Sequence, residues 1–271
     1  MFDRCVIIGS GASIRQSLWN IPIDKLSIWK AIKNEITFGL NWSDKWHIPT
    51  IQMFVDYQLY ITRQKEYNKL PLVIGKDDPH IGLREYDLNK KCIPGNNLIL
   101  LPSSSEFHGT DSWTKGFGKG QLVGLMALTL ACILGFKNIY LIGFDACEIE
   151  GKTHFYQGDK ENTGKYIWQR IEHNGMGKIN DKKYRTSDYN KDVSTLYFDA
   201  YKEELKKRNI YNVSLQSQIK TFPKISYNDF YATLKTFPNK VNQNSIRNNI
   251  INLIKNKLNY NPIRRRKQIF I

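Results

Sequence analysis

The segment from Leu122 to Asp145, LVGLMALTLACILGFKNIYLIGFD, constrains the fold more than any other part of the chain. It reads as a buried helix, a Gly-Phe-Lys break, and an apolar strand from Asn138 to Ile142 that runs into Gly143-Phe144-Asp145. A strand ending in glycine and then a carboxylate places an acid at the carboxyl edge of a sheet, where open α/β folds bind ligands. The start of the chain repeats the logic: the run Cys5 to Ile8 leads straight into Gly9-Ser10-Gly11-Ala12-Ser13. Two strands that each end in a glycine-marked polar turn predict one nucleotide crevice.

Further apolar runs punctuated by Gly, Pro or Asn read as strands at Ile36 to Leu40, Pro49 to Val55, Leu70 to Ile74, Asn97 to Leu101 and Ile210 to Val213. With a helix predicted over Gln121 to Leu134, the alternation implies an α/β fold: a Rossmann-like, mostly parallel, doubly wound sheet. A chain of 271 residues has room for one such domain and a smaller addition. Residues 1–215 are assigned to the nucleotide-binding domain. Within it, 147–190 is expected to form a polar lid, because Tyr156, Tyr166, Trp168, Tyr184 and Tyr189 are too many aromatics for a plain linker. An amphipathic helix is expected over Asp192 to Arg208, capped by Asn209. Residues 216–271 read as a C-terminal helical segment, with helices at Tyr227 to Leu234 and Ser245 to Leu258, followed by a basic tail.

A formal net charge of +15 implies an anionic partner: a nucleotide, a lipid head group or a nucleic acid. The tail residues Arg264, Arg265, Arg266 and Lys267, between Ile263 and Ile269-Phe270-Ile271, fit an anionic membrane surface at about 1 kcal/mol per charge. A solvated terminus explains the tail equally well. No nucleic-acid motif accompanies the charge, so nucleic acid is not favoured. Four cysteines without CxxC spacing indicate neither a disulfide framework nor a zinc site, and Cys5 and Cys132 read as core thiols. The chain enters a strand at once, which predicts no signal peptide, and its longest apolar run is too short to span a membrane. The expected location is the cytoplasm, with peripheral attachment to the inner face of the cell membrane left open, as is a homo-oligomer.

Gly9 to Ile14 is a turn whose glycines let backbone approach a phosphate, although a tight turn alone would also account for them. It is not the dinucleotide fingerprint, because Ile14 occupies the third glycine position. Asn41 and Asp56 each follow a strand and would line the same sheet edge as Ser10, Ser13, Phe144 and Asp145. His154 and Tyr156, close behind Asp145, are placed to donate to a phosphate leaving group or to move a proton. No spacing suits a metal, so none is expected.

Strand, Gly-x-Gly-x-Ser, Asn after a second strand, then Leu-Gly-Phe-Lys-Asn-Ile-Tyr-Leu-Ile-Gly-Phe-Asp: this pattern resembles the small bacterial lipooligosaccharide sialyltransferases, glycosyltransferase family 42. It also resembles a related group of motility accessory factors and hydroxymethylpterin pyrophosphokinases. The resemblance spans roughly residues 4–215 and implies that Gly9, Ser10, Gly11 and Ser13 form the nucleotide-phosphate turn. It implies that Asn41 contacts donor and substrate, that Asp56 stands where the family has an Asn at a strand end, and that Gly143 and Asp145 lie beside the nucleoside. His154 stands where the family has a tyrosine that supports the departing phosphate, and Tyr184 matches a lid tyrosine. Ser187 stands where the family has its histidine general base, and Asp188 beside it is the candidate base here.

The resemblance therefore implies a glycosyltransferase that moves a sugar, sialic-acid-like or otherwise, from a CMP- or UDP-linked donor to a glycan acceptor. Lipopolysaccharide biosynthesis is the implied setting. The mechanism would be metal-independent displacement without a further cofactor, with His154, Tyr156, Tyr184 and Asp188 catalytic. The alternatives are a nucleotide-dependent pyrophosphotransferase of the hydroxymethylpterin type and a basic, nucleic-acid-directed protein.

Overall fold

The structure, a computed structural model, describes residues 3–55, 57–77, 97–102, 112–117, 123–152, 154–156, 198–236 and 243–258. Its centre is one seven-stranded sheet. The strands are β1 (Arg4–Ile8), β2 (Thr37–Leu40), β3 (Ile51–Phe54), β4 (Val73–Asp77), β5 (Leu98–Pro102), β6 (Asn138–Ile142) and β7 (Asn209–Asn212). They lie in the order β5-β4-β3-β2-β1-β6-β7, and every pairing is parallel. The described helices are α1 (Ser27–Ala31), α2 (Tyr57–Thr62), α3 (Gln64–Tyr67), α4 (Ser112–Lys115), α5 (Val123–Ile133), α6 (Tyr227–Thr236) and α7 (Gln243–Leu258).

Both faces of the sheet are covered, as a parallel sheet requires. Side chains alternate across β1 and β6. Cys5, Ile7, Ile139 and Leu141 pack with α5 and with Ile246, Ile250 and Ile254 of α7. Val6, Ile8, Tyr140 and Ile142 pack with Trp29, Phe155 and with Phe230 and Leu234 of α6. The C-terminal helices thus belong to the same two core layers as the sheet. Helix α5 is buried on nearly every side, which explains its uninterrupted apolar sequence. It ends in a Schellman turn: Phe136 N–H bonds Ala131 O (3.3 Å), Gly135 N–H bonds Cys132 O (3.1 Å), and Gly135 takes φ +83°. That turn is the Gly-Phe-Lys break, and it delivers the chain directly into β6.

Some elements differ from the sequence reading. The strand expected from Leu70 runs from Val73 to Asp77, because Leu70 is still bonded into the turn after α3 (Leu70 N to Tyr67 O, 3.1 Å). Of the helix expected over Asp192 to Arg208, residues 192–197 lie outside the described residues; Phe198 is helical, and two 3-10 turns follow, Asp199–Tyr201 and Glu204–Lys206. Asn209 opens β7 instead of capping a helix, since its N–H pairs with Lys137 O (2.7 Å). The expected lid begins with core residues: Ile149, Phe155 and Tyr156 are buried. Its remainder, 157–190, lies outside the described residues, as does the tail from 259. No described helix is long and apolar enough to cross a membrane.

Candidate active site

Strand order reverses direction between β1 and β6, so the topological switch point lies there, where doubly wound sheets open a ligand crevice. The first turn, Gly9 to Ser13, is laced to the second, Gly143 to Asp145. Gly9 N–H bonds Ile142 O (2.8 Å), Gly11 N–H bonds Gly143 O (2.9 Å), and Ser13 N–H bonds Asp145 Oδ2 (2.8 Å). A side chain on Gly9 would begin 2.5 Å from Gly143 O, and one on Gly11 would fall on the Asp145 carboxylate, 2.7 Å from Gly143 O. The close approach these glycines permit is therefore that of one turn to the other. Gly143 adds a positive φ of +68°.

The second turn is held from below by the chain leaving β7. Phe144 O accepts from Asn212 Nδ2 (2.8 Å) and Ser217 Oγ (2.7 Å), and Asp145 O accepts from Gln218 N–H (2.7 Å). Phe144 itself is a core residue, edge-on to Phe198. The first turn is covered by residues 154–156. His154 bridges Gly11, Phe155 N–H bonds Ser10 O (3.0 Å), and buried Arg15 clamps Phe155 O (2.7 Å) and Ile21 O (2.5 Å).

Asp145 is 3 % exposed. Burial pushes its carboxyl above the usual carboxylate range, against the opposing pull of the Ser13 N–H and of the nearby Ser13 and Ser214 hydroxyls. Ser13 and Ser214 lie beside the carboxylate and Tyr227 beside Ser13. Yet Asp145 Oδ1, Ser13 Oγ, Ser214 Oγ and Tyr227 Oη are all buried and none makes a hydrogen bond of good geometry. An unpaired buried polar group costs about 1–3 kcal/mol, so four together leave hydrogen-bonding capacity that a ligand or water can take up. Ser13, Ser214 and Tyr227 line a cavity of about 280 Å³ with Gln16, Ile149 and Gln216 among others. Its size is close to the lower end of small-molecule pockets, about 300–1,000 Å³. Tyr227 is fixed there by a capping box at the start of α6: Ser226 Oγ bonds Asp229 Oδ2 (2.6 Å) and accepts Asp229 N–H (3.1 Å).

On the other side of β1, Asn41 ends β2 with φ +53°. A left-handed residue is uncommon, and asparagine tolerates it better than most. His154 is partly buried, its ring 5.1 Å from that of Tyr156, which stacks on Trp46 at 5.7 Å. Burial pushes the His154 imidazole down to about 4, so at neutral pH it is uncharged, and what it can offer is a neutral N–H, not the imidazolium. Burial raises the Tyr156 phenol, which is protonated accordingly.

Of the residues picked out by sequence, the structure brings Gly9, Ser10, Gly11, Ser13, Gly143, Phe144, Asp145, His154 and Tyr156 into one constellation. Asn41 ends the neighbouring strand of the same edge. Asp56, Tyr184 and Asp188 lie outside the described residues. Sequence reasoning missed Arg15, Ser214, Tyr227 and Gln52. Gln52 alone left a signal, as an amide inside the apolar run of β3. Ser214 and Tyr227 reach the site only because the chain wraps back after β7. Among the described residues no three His, Cys, Asp or Glu side chains gather as a metal would need; Cys5, Cys132 and Cys147 are free thiols.

Comparison with models of known families and with curated proteins gives no match. Two solved structures are similar to the chain. One is the sialyltransferase CstII from Campylobacter jejuni in complex with a substrate analogue, CMP-3FNeuAc: 14% identity, TM-score 0.43, covering 84% of this chain and 87% of that one. The other is a single-residue variant of the sialyltransferase CST-II in complex with CMP: 15% identity, TM-score 0.44, covering 83% and 87%.

Proposed function

We propose that the chain is a nucleotide-sugar glycosyltransferase whose donor binds across the β1–β6 switch point. The observation that carries the reading is the set of buried polar atoms without a well-formed hydrogen bond on Ser13, Ser214 and Tyr227, which line a cavity at that point, and on Asp145 next to Ser13. The hydroxyls and amides that line the cavity suit the hydroxyls and ring edges of a nucleoside, and no lysine or arginine lines it to select a bare anion. The nucleoside half of the donor would sit there, with its phosphate toward the Gly9 to Ser13 turn and the sugar toward Asn41 and His154.

Displacement at the anomeric carbon breaks the bond to the phosphate oxygen, which gathers negative charge as it leaves. A preorganised donor aimed at that oxygen is worth most as the charge develops. His154 N–H would supply it in the neutral state. Asp188 or Asp56 would take the acceptor's proton, and Tyr184 would join from the segment after 156. A glycan acceptor, a setting in lipopolysaccharide synthesis and attachment to the inner membrane face through 263–271 complete the proposal.

The test is thermal stabilisation by CMP, UDP, GDP and ADP compounds. A ligand at about 100 times its dissociation constant adds about 2.7 kcal/mol. One nucleotide series should stabilise the wild type and not a Ser214→Val, Tyr227→Phe double variant. Stabilisation by none, or equally of both proteins, overturns the placement. Turnover that survives a chelator separates sugar transfer from a pyrophosphotransferase.

A further inference from the structure

Gln52 lies in β3, fully buried, and Tyr67 ends α3, also fully buried. Both side chains converge on one atom. Asn41 O accepts from Gln52 Nε2 at 2.7 Å and from Tyr67 Oη at 2.6 Å, while Asn41 N–H bonds Met53 O at 3.0 Å. The two donors also touch each other, Gln52 Nε2 to Tyr67 Oη at 3.3 Å. The fold makes room for this. Gly39, two residues before Asn41, has Gln52 Oε1 2.8 Å from where a side chain would start, with Pro49 Cγ at 2.8 Å and Ser43 Oγ at 2.5 Å. Tyr67 is wedged by Arg63, whose guanidinium lies 5.7 Å over its ring and 4.7 Å over that of Trp42, and which pairs with buried Asp44.

A carbonyl at a half-buried strand end could be satisfied by water. Burying an amide and a phenol to hold it instead costs desolvation, and the return is rigidity. With its N–H and C=O both tied inward, Asn41 is locked in the left-handed region, which sets the direction in which its side chain leaves the backbone at the edge beside the switch point. Backbone strain that the surroundings over-determine points to function.

We propose that Gln52 and Tyr67 are positioning residues that hold Asn41 for contact with the reacting end of the donor. This rests on the donor-site reading above. Neither residue touches the donor; both act through Asn41.

The test is a double-mutant cycle on donor turnover, using whichever CMP- or UDP-linked sugar the wild type consumes. Tyr67→Phe keeps the ring and removes one donor. It should lower kcat about tenfold with KM within about twofold, and Gln52→Leu should do the same. On an Asn41→Ala background, Tyr67→Phe should add nothing, because what it positions is gone. An equal loss on both backgrounds marks Tyr67 as merely structural and overturns the proposal, as does no loss at all. If the wild type consumes no nucleotide sugar, the donor reading fails, and the crystal structure of the Gln52→Leu, Tyr67→Phe variant judges the cradle. Asn41 should leave positive φ there; an Asn41 still near +53° overturns it.

Discussion

The two flanks of β1 treat their polar groups in opposite ways. Toward β6 and β7 the backbone is fully engaged, each turn bonded to the other, while the side-chain oxygens of Ser13, Asp145, Ser214 and Tyr227 are buried and unpaired. Toward β2 and β3 the side chains of Gln52 and Tyr67 are consumed in holding a single backbone carbonyl. One flank keeps hydrogen-bonding capacity in reserve for something that arrives; the other uses its capacity to fix geometry in advance. Affinity and orientation are thus assigned to different side chains, and mutations on the two flanks should have different signatures.

The largest effect should come where the first flank has no slack. Gly11→Val would drive a branched side chain into the Asp145 carboxylate and Gly143 O, both already engaged in hydrogen bonds between the turns. The turns would have to separate, breaking the bonds at Gly11 and Ser13 and the cover formed by residues 154–156. Overpacking alone costs about 1–3 kcal/mol, and this adds lost buried hydrogen bonds. The variant should melt far lower, without ligand, as circular dichroism would register. A variant that melts like the wild type and merely fails to bind nucleotide would return these glycines to phosphate contact.

Next comes His154, at the seam of the two flanks. His154→Ala should reduce kcat about 10²- to 10³-fold if its N–H faces the departing oxygen. Because burial holds the imidazole near 4, the rate should show no limb between pH 6 and 7 from this residue. A limb near 6.5 that His154→Ala removes would mean that the ring titrates in the working enzyme and that closure changes its surroundings.

How much of this was legible in the chain depends on how local each cause is. The Schellman glycine, the apolar strand and the Gly143-Phe144-Asp145 end of β6 are neighbours in sequence, so that unit reads almost directly. The pairing of the two glycine turns was legible as well, since parallel strands put their ends on one edge. What the glycines are for was not: the space Gly11 leaves is filled by Asp145, 134 residues away, and no local pattern says so. Ser214 and Tyr227 are invisible for the same reason, entering through the wrap after β7. The helix expected before β7 is described only from Phe198, a helical residue, and there the apolar spacing passes into 3-10 turns, which bury Tyr201 with fewer residues per turn.

A smaller effect separates stability from binding on the first flank. Burial raises the Asp145 carboxyl, so the folded state holds its proton more tightly than the unfolded chain does. Stability from this group is fully present below the unfolded value, about 3.9, and is lost as pH rises through the folded value. Asp145→Asn keeps an oxygen for Ser13 N–H and removes the charge, and its new amide can reach the oxygens of Ser13 and Ser214. The variant should melt higher than the wild type at pH 7, with the gain gone by about pH 3. Nucleotide affinity should drop about 10- to 150-fold if Asp145 Oδ1 takes a hydrogen bond from the nucleoside, the range of a bond to a charged group. A destabilised variant at pH 7 would show that the carboxylate holds the turns by charge.

The smallest effects form the sharpest pair, because two removals of the same atom should differ in sign. Tyr67 Oη donates to Asn41 O at 2.6 Å, whereas Tyr227 Oη is buried with no partner. Deleting a made bond leaves its acceptor to the remaining donor, Gln52, so Tyr67→Phe should cost about 0.5–1.5 kcal/mol. Deleting an unmade one removes a desolvated hydroxyl that gains nothing in the empty protein, so Tyr227→Phe should be neutral or stabilising by up to about 1 kcal/mol. Urea unfolding of the two variants without ligand measures both, with the midpoint rather than the slope carrying the difference. Saturating nucleotide should then widen the gap between wild type and Tyr227→Phe in the wild type's favour and leave the Tyr67→Phe deficit as it was. If both variants lose stability alike in the empty protein, Tyr227 Oη already has a partner and the flanks do not differ. If nucleotide protects Tyr227→Phe as well as it protects the wild type, the hydroxyl is spare and the ligand lies elsewhere along the edge.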